Sequence, residues 1–351
     1  MVSLRGWFWL RCAGVAVAAA LLGWAFSGLD GARVGATLRD GGPALLWALV
    51  PAGLSLGLES CGWAWAFRRL GHRLSPRGVL RARLASEALA LTLPAGVLFS
   101  ESSMPFLLAR HCGLGVEDGV AGLAVRKYLL LASQAVYIAG FALLGAAALE
   151  GASHELIGGQ GLSWLVLALG GLVLSTALAG ALSLRGGCIA VRVRAALARL
   201  PWPALRRRLE HSRERFVATD RKLATFFGDS LLGASAPAVC FALCWALEAF
   251  ETYLILRLLG IELPFSTVAA LEVVVSFSRH VGFLLPGGLG LQELGYVAGL
   301  RALGVPEPLA AGAAFVVIKR AKECAWALCG YALLASDLRA ERAPQLSLSP
   351  S

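Results

Sequence analysis

Residues 283–296 read FLLPGGLGLQELGY, and this stretch decides how the hydrophobic chain around it must fold. Proline removes a backbone donor and glycine weakens a helix, so the run Pro286-Gly287-Gly288 interrupts any helix that passes through it. In a membrane, such an interruption persists only where protein or a water-filled cavity satisfies the freed backbone groups. A simple turn at the end of a span would also explain one isolated copy of this pattern.

The same pattern occurs 192 positions earlier, where Pro94, Ala95 and Gly96 are followed by Glu101 as the later run is followed by Glu293. Seven positions separate the proline from the glutamate in both copies. A basic pair follows each glutamate after 25 to 27 positions; the pairs are Arg126-Lys127 and Lys319-Arg320. We interpret this as an internal duplication. Matching interruptions in two halves of a membrane protein predict the binding site of a transporter-like fold.

The composition indicates a membrane protein. Hydrophobic residues make up 58% of the 351 residues and charged residues only 15%, with a formal net charge of +10. A soluble protein of this length could not cover so much apolar surface. The positive charge is concentrated in loops, which favours contact with a membrane face over nucleic acid binding.

Apolar runs long enough to cross a membrane set the predicted architecture. We predict an all-α, polytopic membrane helix bundle, formed by a single domain over 1–338 with repeat halves at roughly 43–149 and 231–335. The predicted spans are 8–29, 43–67, 119–149, 162–184, 231–258 and 308–335, with broken helix pairs at 84–98/99–112 and 266–284/289–303. The first span could pass for a signal peptide, but Arg11 interrupts it and favours a retained helix. The tail, 339–351, is polar and predicted to be disordered.

The distribution of basic residues predicts the orientation in the membrane. The loops 68–83 and 185–230 are rich in arginine, whereas 150–161 has no arginine or lysine. The positive-inside rule therefore places both basic loops and both termini in the cytoplasm. This assignment requires each broken pair to be a re-entrant hairpin and the two repeats to be inverted. The 185–230 loop is also expected to lie as an amphipathic segment on anionic lipid, although topogenesis alone would explain its charge.

Charges inside the last helix point to a site. Each charge at mid-bilayer costs roughly 2.5–3.5 kcal/mol, so Lys319, Arg320, Lys322 and Glu323 should face the protein interior or a polar cavity. They could form a self-neutralising cluster or a cationic wall for an anionic head group. Glu101 and Glu293 could cap half-helices or handle a cation, a lipid amine or a proton at the midplane. Glu59, Glu248 and Glu251 lie in other spans and stay outside the predicted site.

The candidate lipid-binding set joins the two interruptions, the basic pairs and the residues next to them. Arg279 and His280 precede the second break and could belong to the site or extend to the membrane interface. The set is Pro94, Gly96, Glu101, Arg126, Lys127, Arg279, His280, Pro286, Gly287, Gly288, Gly290, Glu293, Lys319, Arg320 and Glu323. No catalytic signature and no metal-type cysteine pair accompany it, so neither a cofactor, a metal nor an enzyme activity is predicted.

These motifs resemble a known family. LLPGGLGLQE with the later KRAKE, and TLPAGVLFSE with VRKY, are similar to the lysylphosphatidylglycerol synthase transmembrane region, a flippase-like family; details such as LQELGY resemble its hopanoid-associated members. The resemblance covers roughly 5–338. Ser100 stands where the family's first-half motif usually has glycine, and Ala95 replaces a second glycine, so the first-half site departs from the family's motif.

The resemblance implies a lipid transporter or flippase without a synthetase domain. We expect a multi-pass protein of the cell inner membrane that moves a phospholipid-type or hopanoid-type lipid, with an anionic or zwitterionic head group, between leaflets. The glutamates would contact cationic or hydroxyl groups, and the basic pairs would contact phosphate or carboxylate. A membrane-embedded enzyme and a non-catalytic scaffold subunit of a lipid-biosynthetic complex are the alternatives. In the scaffold alternative, the partners would be the proteins of that lipid-biosynthetic complex.

Overall fold

The computed structural model describes residues 31–92, 96–199, 213–228, 235–281 and 290–346, leaving aside the side chains of 33, 92, 278–281 and 338–346. Within these ranges helices are joined by short turns and there is no strand, which confirms the predicted all-α class. The predicted first span, 8–29, lies outside the described residues.

A short 3-10 helix, Gly42–Ala48, joins the first described helix to the second. The α-helices are α1 (Gly31–Gly41), α2 (Leu49–Arg69), α3 (Pro76–Thr92), α4 (Gly96–Cys112), α5 (Val116–Leu144), α6 (Ala146–Ile157), α7 (Leu162–Arg185), α8 (Ile189–Leu197), α9 (Arg213–Gly228), α10 (Ser235–Leu258), α11 (Phe265–Val281), α12 (Leu291–Ala302) and α13 (Pro308–Leu346).

Several helices are suited to a bilayer. Among the described residues, the segments Val34–Arg69, Val116–Leu144, Leu162–Arg185 and Ser235–Leu258 are long and apolar enough to cross a membrane. Helix α7 exposes large apolar side chains such as Leu172 and Leu182 along its length. Such a surface is suited to lipid rather than to water. The chain is therefore a multi-pass membrane protein.

The same packing recurs in the two halves of the chain, which we define as α2–α5 and α10–α13. In each half the two short helices that flank the interruption pack together, α3 with α4 and α11 with α12. The second helix of each pair packs on the long basic helix of its own half, and the first packs on the long helix of the other half. The halves also meet directly through α2 and α10. This recurrence agrees with a duplication, while the inverted orientation and the re-entrant path stay predictions.

Helix α3 begins earlier than predicted. The arginine-rich sequence predicts a loop over 68–83, but the helix starts at Pro76, whose fixed φ suits a first helical position. Arg77, Arg81 and Arg83 therefore lie on a helix. The side chain of Arg83 is only 16% exposed and contacts a glutamate inside the bundle.

The single helix predicted over 119–149 is wrong, because α5 ends at Leu144 and α6 begins at Ala146. The intervening Gly145 touches α11 so closely that a Cβ at this position would lie 2.5 Å from the Cβ of Ala270. Only glycine fits such an approach without displacing the neighbouring helix. Helix α6 continues to Ile157, so much of the predicted 150–161 loop is also helical.

Glu150 and Ser153 of α6 hold the connection from α6 to α7, and Ser153 donates to the carbonyl oxygen of Gly159 and accepts from the N–H of Leu162. Glu150 accepts hydrogen bonds from the backbone N–H of Gly161 at 3.1 Å and from the hydroxyl and N–H groups of Ser163. These donors favour the charged form, so they hold the pKa of the Glu150 carboxyl below its usual value.

The basic 185–230 segment contains two described helices that pack on each other, α8 and α9. Asp220 of α9 is buried and accepts hydrogen bonds from the N–H groups of Ala190 and Val191, at 2.7 and 2.9 Å, in the first turn of α8. Leu223, Phe226 and Phe227 join the hydrophobic core of the first half. The apolar face of α9 is therefore buried on the bundle, rather than lying on lipid as expected.

The last helix is longer than its predicted span. Helix α13 runs for 39 residues from Pro308 to Leu346, which corresponds to roughly 58 Å at 1.5 Å per residue. It passes the predicted end at 335 and continues into the segment predicted as a disordered tail. Its central charges contact neighbouring helices: Arg320 pairs with Glu293 of α12, and Lys322 pairs with Glu251 of α10.

Candidate functional site

The two duplicated glutamates each contact the basic pair of their own half. In the first half, Glu101 of α4 forms an ion pair with Lys127 of α5 and lies 3.5 Å from Nη1 of Arg126. In the second half, Glu293 of α12 accepts a hydrogen bond from Nε of Arg320 at 2.9 Å. The sequence spacing that matched the glutamates with the basic pairs thus corresponds to spatial contacts. The two clusters have equivalent positions in their halves.

Glu293 also caps its helix. Its Oε2 accepts a hydrogen bond from the backbone N–H of Gly290 at 2.7 Å, as in a capping box. Gly290 has φ of +92°, a conformation that glycine adopts without strain. Helix capping and a charged contact are the two roles that the sequence predicts as alternatives for Glu293. One carboxylate makes both contacts.

Arg126 is shared between two glutamates. Its Nε donates to Oε1 of Glu59 at 2.6 Å, and its guanidinium lies 5.3 Å from the ring centre of Trp63. Arg83 of α3 approaches the other oxygen of Glu59 at 3.1 Å and also contacts Glu87. A buried carboxylate needs such compensation, and Glu59 receives it from two arginines.

Lys319 has a different environment from its counterpart Arg126. Its ammonium group lies 3.3 Å from Glu272 of α11, contacts the hydroxyl of Tyr296 and lies 3.5 Å from the hydroxyl of Thr252. Tyr296 in turn donates to Glu272 at 2.5 Å. Lys319 and Glu272 are both buried, and their network joins α10, α11, α12 and α13.

The remaining charges of α13 also have partners. Lys322 donates to Glu251 of α10 at 2.5 Å, and Glu323 accepts from Arg320 at 2.6 Å. The predicted self-neutralisation along α13 therefore involves the pair Arg320–Glu323. Lys319 and Lys322 pair with other helices instead.

A cavity of about 370 Å³ lies between the two halves. Its volume is at the lower end of the roughly 300–1,000 Å³ typical of small-molecule sites. Its ionisable lining comes from α2, α3, α10 and α13, so both halves contribute. These residues are Glu59, Arg83, Glu87, Glu248, Glu251, Lys319, Lys322 and Glu323. The wall also contains two indole rings, a glutamine, a serine, a cysteine, a proline, an alanine and several leucines.

Only some of the predicted site residues line this cavity. Lys319 and Glu323 line the cavity. The cavity lining does not include the ion-paired residues Glu101, Arg126, Lys127, Glu293 and Arg320.

The rest of the predicted site residues are the glycines and prolines of the two interruptions and the two residues before the second one. Gly96 lies where a Cβ would be 2.1 Å from the carbonyl oxygen of Ala90, so it allows α3 and α4 to approach closely. Arg279 and His280 end α11, and their side chains are not described. Pro94, Pro286, Gly287 and Gly288 lie outside the described residues.

Several residues of the site lie outside the predicted set. Glu59 and Glu251 are separated by 192 positions, the same spacing as Glu101 and Glu293, so the repeat could have revealed them. Arg83 had been placed in a loop, and no pattern distinguished Glu272 within its apolar span. Within the described ranges, no group of three or more His, Cys, Asp or Glu side chains is arranged to hold a metal ion.

Comparison with known families agrees with this architecture. Residues 11–318 match the model of the lysylphosphatidylglycerol synthase TM region. The chain belongs to the lysylphosphatidylglycerol synthase TM region family. This confirms the family suggested by the duplicated motifs, while the hopanoid-associated subgroup stays a prediction. No match is found among curated proteins. Family membership and the apolar helices together indicate an integral membrane protein of lipid-related processes.

Proposed function

We propose that this protein moves an amphipathic lipid between the leaflets of the membrane. The polar head would pass through the cavity between the two halves while the acyl chains stay in the bilayer. The observation that carries the proposal is a cavity with ionisable groups from both halves inside a helix bundle with an apolar exterior. Ionisable groups inside a membrane are expensive and mark substrate pathways.

The duplicated architecture supports a mechanism of alternating access. The broken helix of each half packs on the long helix of the other half, so a tilt of one half changes the contacts of both. If the halves are inverted, such a tilt would open the cavity to each side in turn. The ion pairs at the cavity wall, such as Lys322 with Glu251, are contacts that can separate and re-form during this movement.

We further propose that the lipid is moved without chemical change. Glu59 is held by two arginines and Glu251 by Lys322, so these carboxylates are engaged as structural counter-ions. General acid–base catalysis requires groups that can exchange a proton with the substrate. Mass spectrometry of membrane lipids from cells with and without the gene should show the same molecular species. A species that disappears in the deletion strain would favour a membrane-embedded enzyme.

We place the protein in the cell inner membrane with both termini in the cytoplasm. The support is the basic 185–230 segment, which contrasts with the 150–161 segment free of arginine and lysine. Reporter fusions would test this orientation. A fluorescent protein fused to the C-terminus should fluoresce, and alkaline phosphatase inserted near Gly159 should be active. The opposite pattern would reverse the proposed topology.

Leaflet exchange in proteoliposomes tests the proposed transport. Reconstituted wild-type protein should accelerate exchange of a tail-labelled lipid, and Glu293→Gln should slow it at least about tenfold, equivalent to roughly 1.4 kcal/mol. The reason is that the Arg320 charge loses one of its two carboxylate partners. Glu101→Gln tests the first half in the same way.

The matched control is Glu262→Gln, because the Glu262 side chain is 84% exposed and lies away from both clusters. All variants should elute as monodisperse protein before reconstitution. Absence of exchange by the wild type with every lipid class would sink the transport proposal. It would favour a scaffold role in a lipid-biosynthetic complex.

A further inference from the structure

Lys127 carries an exposed charge in the middle of a segment that is long and apolar enough to cross the membrane. Helix α5 has 29 residues, and Lys127 lies three residues, or roughly 4.5 Å, from its central residue Leu130. The Lys127 side chain is nevertheless 48% exposed. A lysine near a helix end can extend to the membrane interface, whereas a charge near the middle of a span is costly in hydrocarbon. The surface around Lys127 therefore requires water or a polar group.

The equivalent ion pair of the second half is much less exposed. The side chains of Glu293 and Arg320 are 2% and 24% exposed, compared with 23% for Glu101. At matching positions, the first-half pair is thus open at the surface of the bundle, and the second-half carboxylate is enclosed. Such a difference is expected of a transporter with two similar halves when access is open at one of them.

Exposed apolar side chains lie on the same helix faces as the first-half pair. Val97 and Leu98 precede Glu101 by four and three residues, spacings that place side chains on one face of a helix. Val120 precedes Lys127 by seven residues and shares its face. All three apolar side chains are exposed. A charged pair beside an exposed apolar surface matches a molecule with a polar head and apolar chains.

The exposed pair is connected to the cavity by further ion pairs. Glu101 contacts Lys127 and lies 3.5 Å from Nη1 of Arg126. Arg126 in turn donates from Nε to Glu59, which lines the cavity, at 2.6 Å. Charged groups therefore continue from the surface of the first half to the cavity between the halves.

We propose that Lys127 and Glu101 form a lateral site for the head group of a zwitterionic phospholipid, with its phosphate on Lys127 and its ammonium on Glu101. This inference deepens the proposed function and rests on it for the role of the site, which is where a lipid would leave the bilayer on its way to the cavity. The site is separate from the cavity, whose lining includes neither residue.

The charge balance around the site favours a zwitterionic head group. Among the described residues of the first half, three cations and three carboxylates form one connected cluster: Arg83, Arg126, Lys127, Glu59, Glu87 and Glu101. A purely anionic head group would add an uncompensated charge within the membrane, which is costly. An uncharged head group would keep the balance but would not form charge-assisted hydrogen bonds.

A zwitterionic head group can bind without breaking the ion pair. The ammonium of Lys127 has three donors, so it can donate to a phosphate while it contacts Glu101. The carboxylate of Glu101 has several lone pairs, so it can accept from a lipid ammonium as well. Both charges of the ligand are then compensated, and the cluster stays neutral.

Native mass spectrometry of the full chain in detergent tests the site. The delipidated protein is titrated with phosphatidylethanolamine, phosphatidylglycerol or glucosyl-diacylglycerol, all with identical acyl chains. We expect phosphatidylethanolamine to bind most tightly. Lys127→Gln should weaken its binding about tenfold, because the hydrogen bond from the ammonium to the phosphate is lost. Lys127→Arg keeps the charge and should retain most of the affinity.

A second variant changes the preference rather than the affinity alone. Glu101→Gln removes the partner of the lipid ammonium and leaves the cluster with one excess positive charge. The tightest-binding lipid should therefore change from phosphatidylethanolamine to phosphatidylglycerol. A purely structural role of Glu101 would weaken the binding of all three lipids alike.

The matched control is Lys222→Gln. Lys222 is also a partly exposed lysine that pairs with a carboxylate, that of Asp118, but it lies on α9, outside the predicted spans. Its substitution should leave the binding of all three lipids unchanged.

The outcomes separate this inference from the transport proposal. The inference is overturned, and transport is not, if Lys127→Gln binds phosphatidylethanolamine like wild type, if wild type prefers another of the three lipids, or if Lys127→Gln abolishes a dimer. Lys127-dependent binding of phosphatidylethanolamine without leaflet exchange of any lipid keeps the site and overturns transport. Neither binding nor exchange overturns both.

Discussion

The two halves solve the same electrostatic problem with different side chains. Glu59 in the first half is held by two arginines, Arg126 and Arg83, at 2.5 and 3.1 Å, whereas Glu251, its counterpart by spacing, is held by Lys322. Arginine offers a planar fork that fixes geometry, and lysine offers a point charge on a flexible stem. The comparison indicates that the contacts of Glu59 in the first half are more rigid than those of Glu251 in the second half. If one half rearranges during transport, the second is the better suited.

The largest expected effect on stability comes from removing one of the two arginines that contact Glu59. Arg126→Gln leaves Glu59 with one arginine and should cost about 3–5 kcal/mol of unfolding free energy. Lys322→Gln should cost about 1–2 kcal/mol, because Glu251 borders the cavity and water can take part of the lost contact. Thermal unfolding of the purified variants in detergent measures both. Equal costs would remove the distinction between the halves.

For Glu101 and Glu293, the larger loss of stability is expected in the second half, which is the opposite of the expectation for Glu59 and Glu251. The Glu293 side chain is 2% exposed and makes a cap as well as an ion pair, so Glu293→Gln should cost about 2–3 kcal/mol. Glu101→Gln should cost about 1 kcal/mol or less, because its partner Lys127 has a side chain that is 48% exposed. The same unfolding assay compares them. A costlier Glu101 variant would show that the first cluster is more buried in solution than the structure indicates.

Two glycines of α2 provide a test of the contact between the halves. Gly53→Ala should destabilise the protein by about 1 kcal/mol, because the new methyl group would push the Trp326 ring. Gly57→Ala is the matched control, since no atom lies within 4 Å of the position its Cβ would take. Alanine favours helices over glycine, so Gly57→Ala should be neutral or stabilise by up to about 1 kcal/mol. Similar melting temperatures for both variants would contradict the tight contact at Gly53.

The smallest effect lies outside both clusters, at Glu150. Its lowered pKa means that its stabilising contribution is present above the usual carboxyl pKa and is lost as the pH falls through the folded-state value. Glu150→Gln should therefore lower the melting temperature slightly at pH 7, and the difference from wild type should vanish in acid. A difference that persists at pH 3 would show that the hydrogen bonds of Glu150 do not depend on its charge.

The sequence anticipated the relation between the interruptions and the charges because that relation is periodic along the chain. Glu101 with Lys127 and Glu293 with Arg320 are contacts between residues whose spacing repeats. Glu59 and Glu251 carry the same spacing signal. The partners of these two glutamates, Arg83 and Lys322, follow from the packing of the helices and not from the spacing.

Other features were not readable from the sequence because they depend on contacts between distant segments. Gly145 looks like one glycine within an apolar helix, and only the approach of Ala270 shows why the helix ends there. Glu272 is isolated in the sequence, and its partners Lys319 and Tyr296 lie on two other helices.

The long sequence separations of these ion pairs have a consequence for biosynthesis. Glu59 and Arg126 are 67 residues apart, and Glu251 and Lys322 are 71 residues apart. At synthesis rates of roughly 5–20 residues per second, that partner is synthesised several seconds after each glutamate. Arg83 comes only 24 residues after Glu59 and shortens the wait in the first half. Nascent chains that end between Glu251 and Lys322 should therefore be the intermediates that membrane proteases remove fastest.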